Sequence, residues 1–551
     1  MIELNNRFYI AIELIYTMGK EIGSSKFGSF AGVFVPTFLT IIGVILFLRL
    51  GYVVGNAGVF GAIAIILISI SVTIATALCI SSVASNTKVA AGGGYSIISR
   101  TLGIEIGGSV GIPLLLAQII SVAFYLFGFS EAWRFIFPDH SILIVALIAF
   151  ASIFLLTFIK IKFAIMSQMF IFLIIIASLI SAFTGGIIPG IQVSYSGSYP
   201  EMSFWLLFAL FFPAVTGLMA GISLSGELKE PRRDIPKGVL WAIGITTLIY
   251  VGTALWLGFN ATSEELIADN LIVIRLAAYA PLVLLGILTA TYSSALTTFI
   301  GASRLLQALA GNLLVPQSKF FSKKVSGEPR NAILFITSLV LTLLFVGELN
   351  TLAPVLTILF LITYATINGA VLLQQLSGVL SFRPLLRVHW LIPLYGLLSS
   401  LAIIFLINFW IGVGSFLFML IIYVWISRKG LAPEVADIRT VILTIISEWS
   451  ARKLKERPVE IKGLWKPNIL LPVSSARDIL GCLPLLKSLL HPNGVITVLG
   501  IKIENKEFSE ENSEKSTIKE LNSTLEKLTK EKILPSFTTV KFKKYSTGIY
   551  H

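Results

Sequence analysis

Long apolar runs, separated by short polar stretches, repeat from near residue 34 to about residue 430. A bilayer core takes about 20 apolar residues per helix, and windows this long and this apolar are rare outside membranes. Twelve spans are predicted, near residues 34–54, 58–81, 107–133, 141–159, 163–185, 203–223, 238–259, 272–302, 332–347, 351–377, 389–407 and 409–427. The expected fold is an all-α polytopic membrane protein. A soluble enzyme is excluded for this part of the chain.

The polar stretches are of two kinds. Alternate ones hold Lys88 and Arg100; Lys160 and Lys162; Lys229, Arg232, Arg233 and Lys237; Lys319, Lys323, Lys324 and Arg330; Arg383 and Arg387; Arg428 and Lys429. The others hold Asp139, Glu201, Glu264, Glu265 and Asp269, with Arg134 and Arg275 as their basic residues. Cytoplasmic loops carry the Lys/Arg excess of a membrane protein. Both termini are therefore expected in the cytoplasm, with an even number of spans. The same bias accounts for the net charge of +13 without invoking nucleic acid. Cys79 and Cys482 lie in unlike segments, and the four histidines are scattered, so neither a disulfide nor a metal site is expected. Near the start, the apolar stretch "FYIAIELIY" is interrupted by Glu13 and lacks a small-residue cleavage site, so no cleavable signal peptide is expected.

Past Lys429 the pattern changes. Residues 436–450 place Ile438, Val441, Ile442, Ile445 and Trp449 at helical spacing, which predicts a helix on the membrane surface or against a partner subunit. The stretches "NILLPV", "ARDILGCLPLLKSLL", "GVITVLGIKI", a charged run over 514–532 and "FTTVKFK" then read β-α-β-α-β, a small cytoplasmic α/β domain. The domain plan is a cytoplasmic segment over 1–30, a transmembrane domain over 31–428, a connector over 429–460 and the α/β domain over 461–551.

Two spans carry weak points. The first has Pro36 and Gly43; the sixth has Pro213 and Gly217. If spans one to five and six to ten are inverted repeats, these positions correspond, and paired interruptions of this kind point to a transporter site near the midplane. Freed amides suit anions and freed carbonyls suit cations, provided they face protein or water. Gly and Pro are also common in membrane helices generally, so the breaks alone leave both readings open. Arg49, near the outer end of the first span, is expected to pair inside the bundle. Glu131, similarly placed on the third span, is the candidate partner, and the pair would form an extracellular gate. The alternative is two snorkelling side chains.

The stretches "GVFVPTFLTIIGVILFLRLGYVVGNAG", "AAGGGYSIISRTLG", "AFYLFGFSEAW", "FFPAVTGLMAGISLSGELKEPRRDIPKG", "SSALTTFIGASRLLQAL" and "SFRP" closely resemble the cation–chloride cotransporter family, of the amino acid–polyamine–organocation superfamily. The likeness runs in order from about residue 27 to 427. It implies a LeuT-like five-plus-five inverted repeat with broken helices 1 and 6, and symport of Na⁺, K⁺ and Cl⁻ by alternating access. Those ions are the cargo, and no cofactor is expected. By position, the resemblance implies chloride on Gly43, Val44 and Ile45, and on Gly217, Leu218 and Met219 with the hydroxyl of Tyr364. It implies potassium on Thr40, Ile41, Tyr125, Pro213 and Thr216, and sodium on Ser293 and Ser294 with carbonyls of Leu39, Ile42 and Ala290. It also implies a homodimer in the plasma membrane, with inorganic ions and the lipid bilayer as partners.

The ligand types are sensible, since hard cations take oxygen ligands and chloride takes N–H and phenolic O–H donors. Ser293 and Ser294 also suit ordinary helix packing. The sequence departs from the sodium-using animal members at Thr40, where they have Asn, and at Ile42, where they have Trp. The α/β domain is shorter than the family's usual one, reduced or truncated. A competing reading is an amino acid or polyamine permease of the same fold. Another is a regulatory subunit on a transporter scaffold. A membrane enzyme lacks support, because no nucleophile–base pattern or paired carboxylates occur. The sequon at Asn260 is placed on an outer loop; a second, at Asn522, falls on the cytoplasmic side.

Overall fold

The computed structural model describes residues 27–86, 95, 99, 104–157, 161–185, 191–223, 228–324, 328–377, 384–429, 446–450, 452–453, 468–473, 482, 485–486, 488–489, 495–503 and 534–542. The chain forms two compact units, Met1–Ile445 and Ile446–His551. The first is helical. Its apolar helices are α1 (Phe30–Leu48), α2 (Leu50–Asn86), α3 (Ile104–Arg134), α4 (Ile142–Leu156), α5 (Ile161–Phe183), α6 (Phe204–Ile222), α7 (Pro231–Asn260), α8 (Ala280–Gly311), α9 (Arg330–Val346), α10 (Leu349–Ser377), α11 (Leu391–Ile407) and α12 (Phe409–Ser427). Among the described residues, eight of them are long and apolar enough to cross a membrane; α4, α9, α11 and the Ser167–Phe183 part of α5 are shorter apolar stretches.

Burial sorts these helices. The most apolar window of α1 is 94% buried and that of α6 is 83%, whereas that of α12 is only 17% buried. So α1 and α6 form the centre of the bundle. On α12, Trp410, Leu417 and Ile421 are exposed, as side chains facing hydrocarbon rather than water would be. Even Thr37 and Thr40 of α1 are buried.

Some boundaries differ from expectation. Leu50–Asn86 is two helices joined at Gly58, whose φ of 68° and ψ of 173° no L side chain adopts easily. The segment before Gly58 completes the first span, and the remainder is the second. At this corner the amides of Val59 and Phe60 donate to the carbonyls of Ser194 and Tyr195 at 3.0 and 3.1 Å, so the segment before α6 caps the second helix. The eighth span begins at Ala280 rather than near 272, because Pro281 opens it and a separate short helix, Ile272–Leu276, precedes it. Asn260 is the last residue of α7 rather than part of a loop. It is 2% exposed, and its amide donates to the Trp256 carbonyl at 2.8 Å.

Below the bundle, the chain before α1 and the chain before α7 are tied together. Phe27 bridges Leu228, and the Lys229 amide donates to the Phe27 carbonyl at 2.8 Å. Gly32 lies directly against Leu228, leaving no room for a methyl group.

The second unit holds a parallel sheet in the order β1 (Asn468–Val473), β2 (Val495–Ile503), β3 (Leu534–Phe542). Asn468 pairs with Val495, and Val495 with Leu534. All three expected strands form. Parallel neighbours need long crossover connections, and the intervening segments supply the length. The expected helix over 514–532 and most of the expected connector over 436–450 lie outside the described residues. So do most of the expected helix over 476–490 and most of "AAGGGYSIISRTLG".

Candidate ion-binding site

The break in α1 is a turn. The last helical bond runs from the Ile42 amide to the Phe38 carbonyl at 2.8 Å. Ile42 then takes φ −80° and ψ 68°, and the Gly43 amide folds back on the Ile41 carbonyl at 2.9 Å. This is an inverse γ-turn. It ends one helix and starts another at Val44, so the carbonyls of Leu39, Thr40 and Ile41 leave the ladder on one side. The first amides of Val44–Leu48 leave it on the other.

Neighbouring helices take up part of this freed backbone. The buried Tyr250 of α7 donates its hydroxyl to the Ile41 carbonyl at 2.7 Å. With the Gly43 amide, both lone pairs of Ile41 are engaged, so of the expected potassium carbonyls Thr40 is the freer. The Ser294 hydroxyl of α8 reaches the Leu39 carbonyl at a long 3.4 Å. This joins two of the expected sodium ligands; Ser293 and Ala290 are buried on the same helix.

The break in α6 is a tightening. Phe212–Gly217 is a 3₁₀ segment between two α-helical pieces. Pro213 has no N–H, so the Ala209 carbonyl loses its helical partner. The Thr357 hydroxyl of α10 replaces it at 2.6 Å. An unpaired carbonyl in the bilayer interior would be costly. The two breaks share a detail: Thr40 donates to the Pro36 carbonyl at 2.7 Å, and Thr216 to the Pro213 carbonyl at 2.8 Å. Each hydroxyl spends its proton inside its own helix and keeps its oxygen available as an acceptor.

The two breaks touch. A Cβ on Gly217 would lie 2.9 Å from Thr40 Cβ and 3.0 Å from the Ile41 amide nitrogen, so only glycine permits this approach. Gly128 of α3 plays the same part against Val44. Tyr364 of α10 packs edge-on to Phe212, with ring centroids 5.9 Å apart. Its ring is fully buried, and its hydroxyl has no hydrogen-bond partner among the described residues. Buried hydroxyls are nearly always satisfied, so this donor has the character expected of a ligand site.

Between the helices lies a cavity of about 30 Å³. Thr40, Tyr125, Thr216, Gly217 and Met219, all expected site residues, line it. The sequence reading missed Gln118 and Ser121 of α3 and Thr297 and Thr298 of α8, which complete its polar wall. A signal existed: Gln118, Ser121 and Tyr125 follow helical spacing on one face of α3.

On the other side of the break, Arg49 and Glu131 form a bidentate pair, Nη1–Oε2 at 2.9 Å and Nη2–Oε1 at 2.8 Å. Arg49 is 3% exposed and Glu131 23%. The Arg49 Nε also donates to Oδ1 of Asn350, on the first turn of α10, at 2.8 Å. Asn350 went unrecognised because nothing local marks it. The pair is thus an interior bidentate one rather than two snorkelling ends.

These features define an integral membrane protein built around two interrupted helices. Residues 32–449 match the family model for amino acid permeases, and residues 471–551 match the first C-terminal domain of prokaryotic cation–chloride cotransporters. The chain is 32% identical over 515 residues to solute carrier family 12 member 9 of Xenopus laevis, covering 84% of this chain and 57% of the relative. It is 30% identical over 473 residues to member 2 of Homo sapiens, covering 74% of this chain and 39% of the relative. It is 32% identical over 472 residues to member 3 of Mus musculus, covering 72% and 47%. The chain spans about half the length of these curated relatives. It belongs to the amino acid permease family.

Proposed function

We propose that the protein is a secondary active symporter that moves Na⁺ and K⁺ together with Cl⁻ by alternating access, with the ions as cargo and no cofactor. The observation that carries this reading is the buried Tyr364 hydroxyl, a donor without an acceptor, packed on the α6 break. Such a group suits an anion. Chloride would sit on Gly43, Val44 and Ile45, and on Gly217, Leu218 and Met219 with Tyr364. Potassium would sit among Thr40, Ile41, Tyr125, Pro213 and Thr216. Sodium would use Ser293 and Ser294 with Leu39, Ile42 and Ala290. Arg49 and Glu131 would close the outer side.

In this reading all twelve apolar helices span the bilayer as a five-plus-five inverted repeat, and both termini lie in the cytoplasm of a plasma-membrane homodimer. Residues 1–30, 31–428, 429–460 and 461–551 act as tail, transporter, connector and α/β domain.

The permease match keeps an amino acid or polyamine as the second reading. The cavity favours ions: at about 30 Å³ it has room for one ion or about two waters. The test is ⁸⁶Rb⁺ uptake by the reconstituted full-length protein, replacing Na⁺ and Cl⁻ in turn. Uptake that needs both supports the full reading. Uptake that needs Cl⁻ alone removes sodium. Without Rb⁺ uptake, the amino acid reading takes over.

A further inference from the structure

The wall formed by α3, α5 and α8 has more acceptors than the structure uses. Gln118 lines the cavity, and its Oε1 is buried without a donor among the described residues. On α5, Gln168 is 4% exposed. Its Nε2 donates to the Thr297 hydroxyl oxygen at 2.8 Å, and its Oε1 is likewise buried without a donor. Ser121 donates its proton to the Ala117 carbonyl at 2.8 Å, which leaves its oxygen as an acceptor on the cavity side. Thr298 lines the same space.

Unsatisfied acceptors in a membrane interior are costly. Two buried amide oxygens without a donor among the described residues, set beside the hydroxyl oxygens of Ser121, Thr297 and Thr298, suit a positive ligand. Neutral amide and hydroxyl oxygens suit an alkali cation, whereas divalent ions recruit carboxylates, and none lines this cavity among the described residues.

The cluster also has a direction. Gln118 precedes Tyr125 on α3, and Thr297 and Thr298 follow Ser293 and Ser294 on α8. Met219 follows Gly217 on α6. All are displaced away from Arg49 and Glu131, which lie beyond Gly43 and Tyr125 in the opposite sense.

We propose that Gln118, with Ser121, Thr297 and Thr298, forms a second station for a dehydrated monovalent cation on the inward side of the broken helices. Gln168 holds Thr297 in place as a positioning residue. The station rests on the symport reading and adds a step to it. A cation leaving the Thr40–Tyr125 region exchanges onto these oxygens before it meets cytoplasmic water.

The test uses the full-length protein in vesicles sorted by orientation, with half-saturating Rb⁺ and Na⁺ measured separately at each face. Gln118→Leu keeps the size and removes the oxygen; Thr298→Val does the same at the second position. Each should raise the half-saturating concentration of one cation at the inner face by about tenfold, the factor that 1.4 kcal/mol makes. The outer-face value should change little. Gln118→Asn, which keeps an amide oxygen, should recover part of the loss. Equal shifts at both faces, or none at either, would overturn the station while leaving chloride-dependent wild-type uptake, and so the symport reading, intact. Absence of that wild-type uptake would remove both.

Discussion

The breaks of α1 and α6 carry the same local signals, a proline followed by a glycine, yet they are built differently. In α1, Pro36 lies just after a π-helical turn, Phe30–Phe34, and the helix runs on through it to Ile41. The chain stops later, at the γ-turn of Ile42 and Gly43, and both polarities of backbone are released there. In α6, Pro213 falls inside the break itself, and the helix tightens to 3₁₀ instead of opening. One carbonyl, Ala209, is freed and at once retaken by Thr357. Thus α1 opens at a turn, while α6 stays wound, packs Gly217 against α1 and has its freed carbonyl bonded by α10. The two breaks are similar in kind and unequal in construction.

The largest expected difference lies at the glycines. Gly217→Val drives side-chain atoms into Thr40 and Ile41, and overpacking of this kind costs about 1–3 kcal/mol. Rb⁺ uptake should fall by about tenfold or more. Gly43→Ala meets the Thr40 carbonyl oxygen at 3.3 Å, and the φ of −122° is open to any residue. Its uptake should fall by less than about threefold, a cost near 0.6 kcal/mol. Equal losses at the two glycines would end the distinction between an open and a closed break.

Next is the outer pair. Glu131→Gln leaves the buried Arg49 without its carboxylate. Hydrogen bonds to charged groups contribute about 1.5–3 kcal/mol, and the loss should register as lower thermal stability of the detergent-solubilised protein. Asn350→Ala should cost less, because the carboxylate remains. An unchanged melting temperature for Glu131→Gln would make the contact incidental.

A smaller effect separates the two backbone supports. Interhelical side-chain hydrogen bonds in membranes contribute about 0.6 kcal/mol, up to about 1.7. Thr357→Val should lie near the upper end, since the proline leaves the Ala209 carbonyl with no helical amide. Tyr250→Phe should lie near the lower end, since the Gly43 amide still serves Ile41. The reverse order in thermal unfolding would contradict this account. The smallest structural effect belongs to Ser294→Ala: a 3.4 Å contact stabilises little. Stability should hold within about 0.5 kcal/mol while the Na⁺ requirement for Rb⁺ uptake weakens. Loss of stability with an unchanged Na⁺ requirement would make Ser294 a packing residue.

Apolar runs set by bilayer thickness made the helical core legible in the chain, and short apolar stretches alternating with helical ones made β1, β2 and β3 legible. Glycine and proline marked where α1 and α6 break, because their backbone restrictions are intrinsic to those residues. The partnership of Arg49 with Glu131 was readable as an expectation, since a charge in a span needs company. Asn350, Tyr250, Thr357, Gln118 and Gln168 were not readable. Each is an ordinary polar residue on an otherwise regular helix, and its role comes from a group on a different helix far along the chain. Local sequence determines where a helix must fail. Only the packing of α3, α5, α7, α8 and α10 around that failure decides which freed carbonyls are satisfied and which acceptors are left for an ion, because an unpaired polar group in hydrocarbon is settled by its neighbours in space.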